Sequence, residues 1–291
     1  MSEPQKKQNI YKKHFPVFTI ITITLNNHSG LLKTYNSIEK QTFTDFEWIV
    51  IDGGSTDETL DFLRSKRANT RTAQNPMKFI SENDDGIYDA MNTGISMANG
   101  RYIIFLNAGD ELASDKVLET LAPFTKNKPD FIYGDSLEYT QTPKKQNKLT
   151  LKPARKYKDI AWGMFTHHQA MLYSRHKIRD EKLHYSLLYK ISGDYDFTVR
   201  FLLKAKKINY MPKPICIFEP GGISQQNAML GRREQYIIRE KLEMIPQPKN
   251  LWIFIAQTIA WRTKKSFPFL YKLLKLFIIH QEKQKVNKQK P

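Results

Sequence analysis

Residues 47–60, EWIVIDGGSTDETL, followed at 101–110 by RYIIFLNAGD, decide the fold. The run Trp48-Ile49-Val50-Ile51 has the length and β-branched content of a strand buried on both faces, and it stops at Asp52-Gly53-Gly54. Helix signals follow at once. Ser55 with Glu58 three residues on has the spacing of a capping box, and Leu60, Phe62 and Leu63 supply an apolar stripe. Taken alone, Asp52 also reads as turn chemistry. The second strand also ends in an Asp, so two carboxylates reach the same sheet edge, a layout that suits a nucleotide and a metal ion.

Working outward, residues 17–25 read as a first buried strand ending at Asn26-Asn27, and Ser29-Gly30 open a helix through Tyr35 and Ile38. A short strand at 78–81 precedes the acidic turn Glu82-Asn83-Asp84-Asp85-Gly86. A helix over 87–98 closes at Asn99-Gly100, before the strand at 101–106. This alternation predicts an α/β fold with a doubly wound, mostly parallel sheet whose ligands lie outside the strands' carboxyl ends. Thr24, Asp52, Glu82 to Asp85 and Asn107 to Asp110 all fall at such ends. Beyond 111 the pattern is mixed: a helix near 114–124, a strand at 131–133, a Lys-rich polar loop at 140–158, a helix opened by Ser192-Gly193-Asp194, a strand at 214–218 and a helical segment at 225–245.

The chain has 291 residues with 40% hydrophobic content, enough for a real core. Its single cysteine, Cys216, excludes an internal disulfide framework and a Cys-based metal site, which points to a reducing compartment. No run of 18 apolar residues occurs and the N-terminus lacks the apolar centre of a signal peptide, so the expected location is the cytoplasm. The net charge of +17 is concentrated at the ends. From Lys249 onward there are ten Lys/Arg against one acid, Glu282. Two apolar stretches, 251–261 and 267–279, lie in this basic region, and in the second Leu270, Leu273, Leu274, Phe277 and Ile278 follow helical spacing. Such a segment suits an anionic membrane surface, here the inner face of the cell membrane, or packing against protein. The expected organisation is a basic leader at 1–15, a catalytic domain at 16–225, a helical, membrane-associating extension at 226–280 and a basic disordered tail at 281–291.

At the strand ends, Asp52 can accept a base ring N–H, while Thr24 and Asn26 can bond base or ribose. Neither GxxxxGK[ST] nor GxGxxG occurs, so a P-loop or dinucleotide fold is not expected. A diphosphate would then need a divalent cation on Asp110, with Mg²⁺ or Mn²⁺ suited to hard oxygen ligands.

Together the segments ITITLNN (21–27), VIDGGSTDET (50–59), SENDDGIYDAMNTGI (81–95), GRYIIFLNAGDEL (100–112), YGD (133–135), HHQAMLYSR (167–175), GDYDFTVRF (193–201) and GGIS (221–224) give the chain a resemblance to family 2 glycosyltransferases of the GT-A fold, in the bacterial branch that builds cell-surface polysaccharide. The resemblance covers about residues 17–224. It implies an inverting, non-processive transferase that moves a sugar from a nucleotide-sugar, most commonly a UDP-sugar, to a saccharide or polyprenyl-diphosphate-linked acceptor. It places Thr24, Asn26, Asp52, Asp84 and Asn107 at the nucleotide, Glu82, Asp135 and His168 at donor sugar or acceptor, Asp110 at the metal, and Asp194 as the base. The family's usual metal run is DSDD; here it is Asn107-Ala108-Gly109-Asp110. Without the resemblance, Asp194 after Ser-Gly reads as a helix cap. A sugar-1-phosphate nucleotidyltransferase would carry a Gly-rich basic loop where this chain has Asn26-Asn27-His28. A nucleic-acid-binding protein would use the basic charge directly, but acidic loops at the sheet edge would repel a polyanion.

Overall fold

The computed structural model describes residues 15–66, 77–141 and 147–266. The basic leader, the second apolar stretch at 267–279 and the basic tail lie outside them, apart from the last residue of the leader. In chain order the elements are β1 (Phe18–Thr24), α1 (His28–Glu39), β2 (Phe46–Asp52), α2 (Thr59–Lys66), β3 (Lys78–Ser81), α3 (Ile87–Met97), β4 (Tyr102–Phe105), β5 (Glu111–Leu112), α4 (Val117–Leu121), β6 (Phe131–Gln141), β7 (Asn147–Lys152), β8 (Met171–Ser174), α5 (Arg175–Asp180), α6 (Gly193–Lys204), β9 (Ile208–Phe218), α7 (Ile223–Gln226), α8 (Ala228–Lys241) and α9 (Gln247–Ser266).

These elements form two compact units. The first takes the chain through Arg155, Thr166–Leu187 and Phe197–Pro220; the second takes Lys156–Phe165, Leu188–Asp196 and the chain from Gly221.

Among the described residues the first unit holds one nine-stranded sheet in the order β3-β2-β1-β4-β8-β6-β9-β5, with β7 paired to β6. β1, β2, β3 and β4 are mutually parallel, β8 runs antiparallel to β4 and β6, and β9 is parallel to β6. Every residue of β1 and β2 is buried, which explains their unalternated apolar runs. Phe18, Ile20, Trp48, Val50 and Ile104 join one core cluster. On β1's other face α3 packs so closely that a Cβ on Gly94 would stand 2.5 Å from Ile21 Cγ2.

Two sequence expectations change here. The expected polar loop at 140–158 contains β7, which pairs with the long strand β6. The strand expected at 214–218 starts six residues earlier, at Ile208. Pro212 and Pro214 hide it from the sequence pattern, and the β6–β9 ladder absorbs them by shifting register beside Asp135.

In the second unit a carboxylate on α8 organises the segment that leads into α6. Glu234 accepts the backbone N–H groups of Lys190, Ile191 and Ser192 at 2.8, 2.9 and 2.7 Å. The Ser192 hydroxyl donates to Gly231 O at 3.0 Å. Arg239, fully buried, donates from Nε to Asn250 Oδ1 at 2.7 Å and so ties α8 to α9.

Candidate active site

The carboxyl ends of β3, β2, β1 and β4 lie side by side, and the predicted nucleotide residues stand along that edge. Thr24 and Asp52 are register partners, and Asp52 pairs in turn with Ser81 at the end of β3. Asp52 is fully buried. Its Oδ1 accepts the Ser55 hydroxyl. Its Oδ2 accepts Ser55 N–H at 3.1 Å and the Ser81 hydroxyl at 2.6 Å. Ser55 therefore bonds back to Asp52 rather than capping α2; Asp57 accepts Thr59 N–H at 3.1 Å instead. Ser81 escaped the sequence reading because one serine at a strand end carries no local signal. Thr24 is 3% exposed and its hydroxyl has no hydrogen-bond partner. A buried hydroxyl in that state costs about 1–3 kcal/mol.

The other nucleotide candidates divide. Asn26, at φ 48°, accepts Thr56 N–H at 2.8 Å through Oδ1, stapling the loops after β1 and β2 together. Asp84 accepts Gly86 N–H at 2.9 Å, and its Oδ2 lies 2.9 Å from where a Cβ on Gly53 would stand. Gly54, at φ +84°, has its Cβ position filled by Asn83 Oδ1, so the two glycines let the acidic turn close onto the end of β2. Glu82 is exposed beside them.

After β4 the chain turns through Asn107-Ala108-Gly109-Asp110, held from below by α1. The Thr34 hydroxyl donates to Asp110 O at 2.7 Å and accepts Gly109 N–H at 3.1 Å. Asp110, the expected metal ligand, is turned into the fold and is 5% exposed. Its Oδ1 accepts Glu219 N–H at 3.0 Å and its Oδ2 accepts Gln169 Nε2 at 2.5 Å. Burial pushes its carboxyl up to about 6. Each Asp110 oxygen thus already accepts one hydrogen bond from the fold, with a second lone pair left on each. Among the described residues no group of three or more His, Cys, Asp or Glu is placed to hold a metal ion, but two other hard oxygens lie at the turn. Asn107 Oδ1 is buried without a partner. The Glu219 carboxylate sits 2.6 Å from where a Cβ on Gly109, at φ +106°, would stand. Glu219 also pairs with Lys33 of α1 at 2.7 Å.

His168 Nε2 faces Asn107 Nδ2 at 3.4 Å. Burial, with His167 beside it, holds the imidazole down at about 4, so it is neutral and can accept the amide proton. His167 bonds Ser136 Oγ at 2.8 Å and Glu138 at 3.1 Å, and stacks on Phe218 with ring centroids 4.3 Å apart. Its hydrogen bond, with that of Lys152, holds Glu138 down at about 2. Asp135 is committed to structure: its Oδ1 accepts Ala154 N–H at 2.8 Å and the Tyr210 hydroxyl at 2.7 Å, pinning the bulged stretch of β6.

Asp194 belongs to the second unit, in the first turn of α6. Its Oδ1 accepts Tyr195 N–H at 2.8 Å. Burial, with the nearby Glu234 charge adding to it, pushes the carboxyl up to about 6.

Sequence comparison matches residues 19–191 to the family described as glycosyl transferase family 2. A PGL/p-HBAD biosynthesis glycosyltransferase of Mycobacterium bovis is 31% identical over 254 residues, covering 86% of this chain and 92% of the relative. An Escherichia coli chondroitin synthase is 32% identical over 42% of this chain and 17% of its own. Among solved structures, S. aureus TarS 1-349 in complex with UDP-GlcNAc superposes with a TM-score of 0.63 at 18% identity, covering 86% of this chain and 73% of that one. The mannosyltransferase PcManGT from Pyrobaculum calidifontis, in complex with GDP-Man and Mn²⁺, gives 0.60 at 14% identity over 92% and 81%.

Proposed function

The chain belongs to glycosyl transferase family 2, and from that premise we propose an inverting transferase that moves a sugar from a nucleoside-diphosphate donor, UDP first among the choices, to a hydroxyl of a saccharide or lipid-linked acceptor in cell-surface polysaccharide synthesis. The observation that carries the donor site is the buried, unpartnered Thr24 hydroxyl in register with the Asp52–Ser81 pair at the sheet's carboxyl edge. Thr24 offers the nucleoside a hydrogen bond that the fold leaves unmade, and Asp52 orients Ser81 toward the same edge. The UDP-GlcNAc complex of TarS supports a uridine nucleotide.

In the inverting step the acceptor oxygen attacks the anomeric carbon, the bond from that carbon to the diphosphate breaks, and the hydroxyl proton passes to a base. Asp194 is that base. With its carboxyl at about 6 it is ionised at neutral pH yet basic enough to take the proton. A Mg²⁺ or Mn²⁺ ion, consistent with the Mn²⁺ of PcManGT, would neutralise the departing diphosphate, with Asp110, Asn107 and Glu219 the oxygen donors at the turn that would hold it. Neutral His168 offers a hydrogen bond beside Asn107 without adding charge.

The helix α9 supports attachment to an anionic membrane surface. Leu251, Trp252, Ile255 and Ile259 are exposed on it, while Asn250 and Ile253 are buried, and Lys249 and Arg262 flank the stripe. Among the described residues no helix is long and apolar enough to cross a membrane.

Calorimetric titration of UDP, GDP and dTDP, with and without Mn²⁺, tests the donor site on wild type and Thr24→Val. Uptake of one nucleotide, weakened about tenfold or more in the valine variant, is expected from the loss of one buried hydrogen bond. No uptake of any of the three by the folded wild type would sink the reading.

A further inference from the structure

The segment 188–192 runs directly into α6. Ser192, placed where a capping hydroxyl would stand, turns its Oγ to Gly231 O instead. The N–H groups of Lys190, Ile191 and Ser192 converge on one carboxylate, Glu234 of α8, which is 7% exposed. Three charge-assisted hydrogen bonds from consecutive backbone groups form an anion nest that fixes the φ/ψ angles of the segment as a set. The first helical bond of α6, from Asp196 N–H to Ser192 O at 3.0 Å, starts from the last residue so fixed. Asp194 lies between those two residues. Gly231, one turn before Glu234, permits the approach: a Cβ there would stand 3.1 Å from Ile191 Cγ2.

We propose that Glu234 is the positioning residue for the Asp194 base: it fixes the strap at 190–192 and so sets where the first turn of α6 holds the Asp194 carboxyl. This inference rests on the assignment of Asp194 as base and adds a residue on another helix, about 40 residues away in sequence, to the catalytic apparatus. The position has a second consequence. Glu234 places a negative charge near Asp194, where it disfavours the ionised base and thereby strengthens it as a proton acceptor. Polar groups around this turn include Asp196, the Tyr195 hydroxyl, which donates to Ile160 O at 3.0 Å, and the Arg239 guanidinium beside it. None of these replaces the three hydrogen bonds that Glu234 makes.

Glu234→Gln tests the assignment. The glutamine is nearly isosteric, but its NH₂ would point at backbone N–H donors. Glu234→Asp keeps the charge on a shorter stem, and Gly231→Ala pushes on Ile191 without touching any charge. All are made in the full chain and checked for folding by circular dichroism. The first readout is ¹³C NMR titration of the Asp194 carboxyl, its resonance assigned by its loss in Asp194→Asn. In Glu234→Gln it is expected to titrate at lower pH than in wild type, and in Glu234→Asp to return toward the wild-type position. The second is turnover of a panel of UDP- and GDP-sugars, read as released UDP or GDP. Turnover is expected to fall about tenfold or more in Glu234→Gln, the scale of a lost orienting contact, with UDP or GDP affinity unchanged; Gly231→Ala reproduces that split and Glu234→Asp recovers part of it. An Asp194 titration in Glu234→Gln that overlays the wild type overturns the proposal. So does a fall in nucleotide affinity that parallels turnover, which would mark a general structural defect. Wild-type turnover by Asp194→Asn overturns the base assignment instead, and is read from a different variant.

Discussion

As the proposed base, Asp194 carries two opposed demands, since the burial that pushes its carboxyl up to about 6 would favour proton uptake and also makes its charge costly. The base works unprotonated, so kcat/KM is expected to be flat near neutral pH and to fall tenfold per pH unit below about 6. Asp194→Asn should lower kcat by about 10²–10⁴. The same variant should be more stable at pH 7.5. A carboxyl whose folded pKa lies above its unfolded value favours folding when protonated, and loses that contribution as pH rises through about 6. Removing the ionisable group should thus raise stability at pH 7.5 by about 1–2 kcal/mol, discounted for its partial exposure. Urea denaturation of both proteins measures this, and an asparagine variant that is less stable would contradict the burial argument. Asp110 follows the same sign rule with a different outcome. Asp110→Asn should cost no more than about 1 kcal/mol, because Gln169, whose Oε1 has no hydrogen-bond partner, can turn its amide to accept from the new NH₂. Asp110→Ala strands the Glu219 N–H and the Gln169 amide and should cost about 2–6 kcal/mol, two buried donors at 1–3 kcal/mol each. Retained Mn²⁺-dependent nucleotide binding in the asparagine variant would fit a cation held elsewhere on the turn.

At the scale of elements, the strands that hold the nucleotide edge were the most legible part of the sequence. β1 falls within one residue of its expected bounds, and β2 extends the expected run 48–51 to Phe46–Asp52. Strands covered on both faces must be continuously apolar, and each ends abruptly in polar turn residues. β7 and the first half of β9 were not legible. β7 alternates only two leucines, Leu149 and Leu151, with Lys148, Thr150 and Lys152, too short a run to stand out within a Lys-rich polar segment, and two prolines interrupt β9. The packing of α3 on β1 was equally silent, because Gly94 in a helix reads only as a weak helix former. Gly94→Val should cost about 2–3 kcal/mol as an overpacked contact against Ile21, lowering Tm without changing which nucleotide binds. A Tm equal to wild type would mean that α3 can lift from the sheet freely.

For the whole molecule, the exposed apolar stripe of α9 is where the proposed membrane attachment would act. Leu251→Ser, Ile255→Ser and Ile259→Ser combined should abolish cosedimentation with phosphatidylglycerol vesicles at low salt while leaving UDP affinity intact. Unchanged cosedimentation would assign membrane attachment, if any, to residues outside this helix. The sequence by itself determined the βα alternation of residues 17–106, the carboxylates at the strand ends and the basic, apolar C-terminal region, since each is a local pattern set by the period and burial of one element. The direction in which each carboxylate points was decided only by tertiary structure. Asp110 turns inward because a backbone N–H from Glu219, 109 residues on, meets it there. Gly109 leaves a space that Glu219 fills, and Glu234 reaches a strap more than 40 residues earlier in the chain. Such contacts join residues that share no local pattern, so they exist only once the packing of separate elements has fixed where each side chain can go.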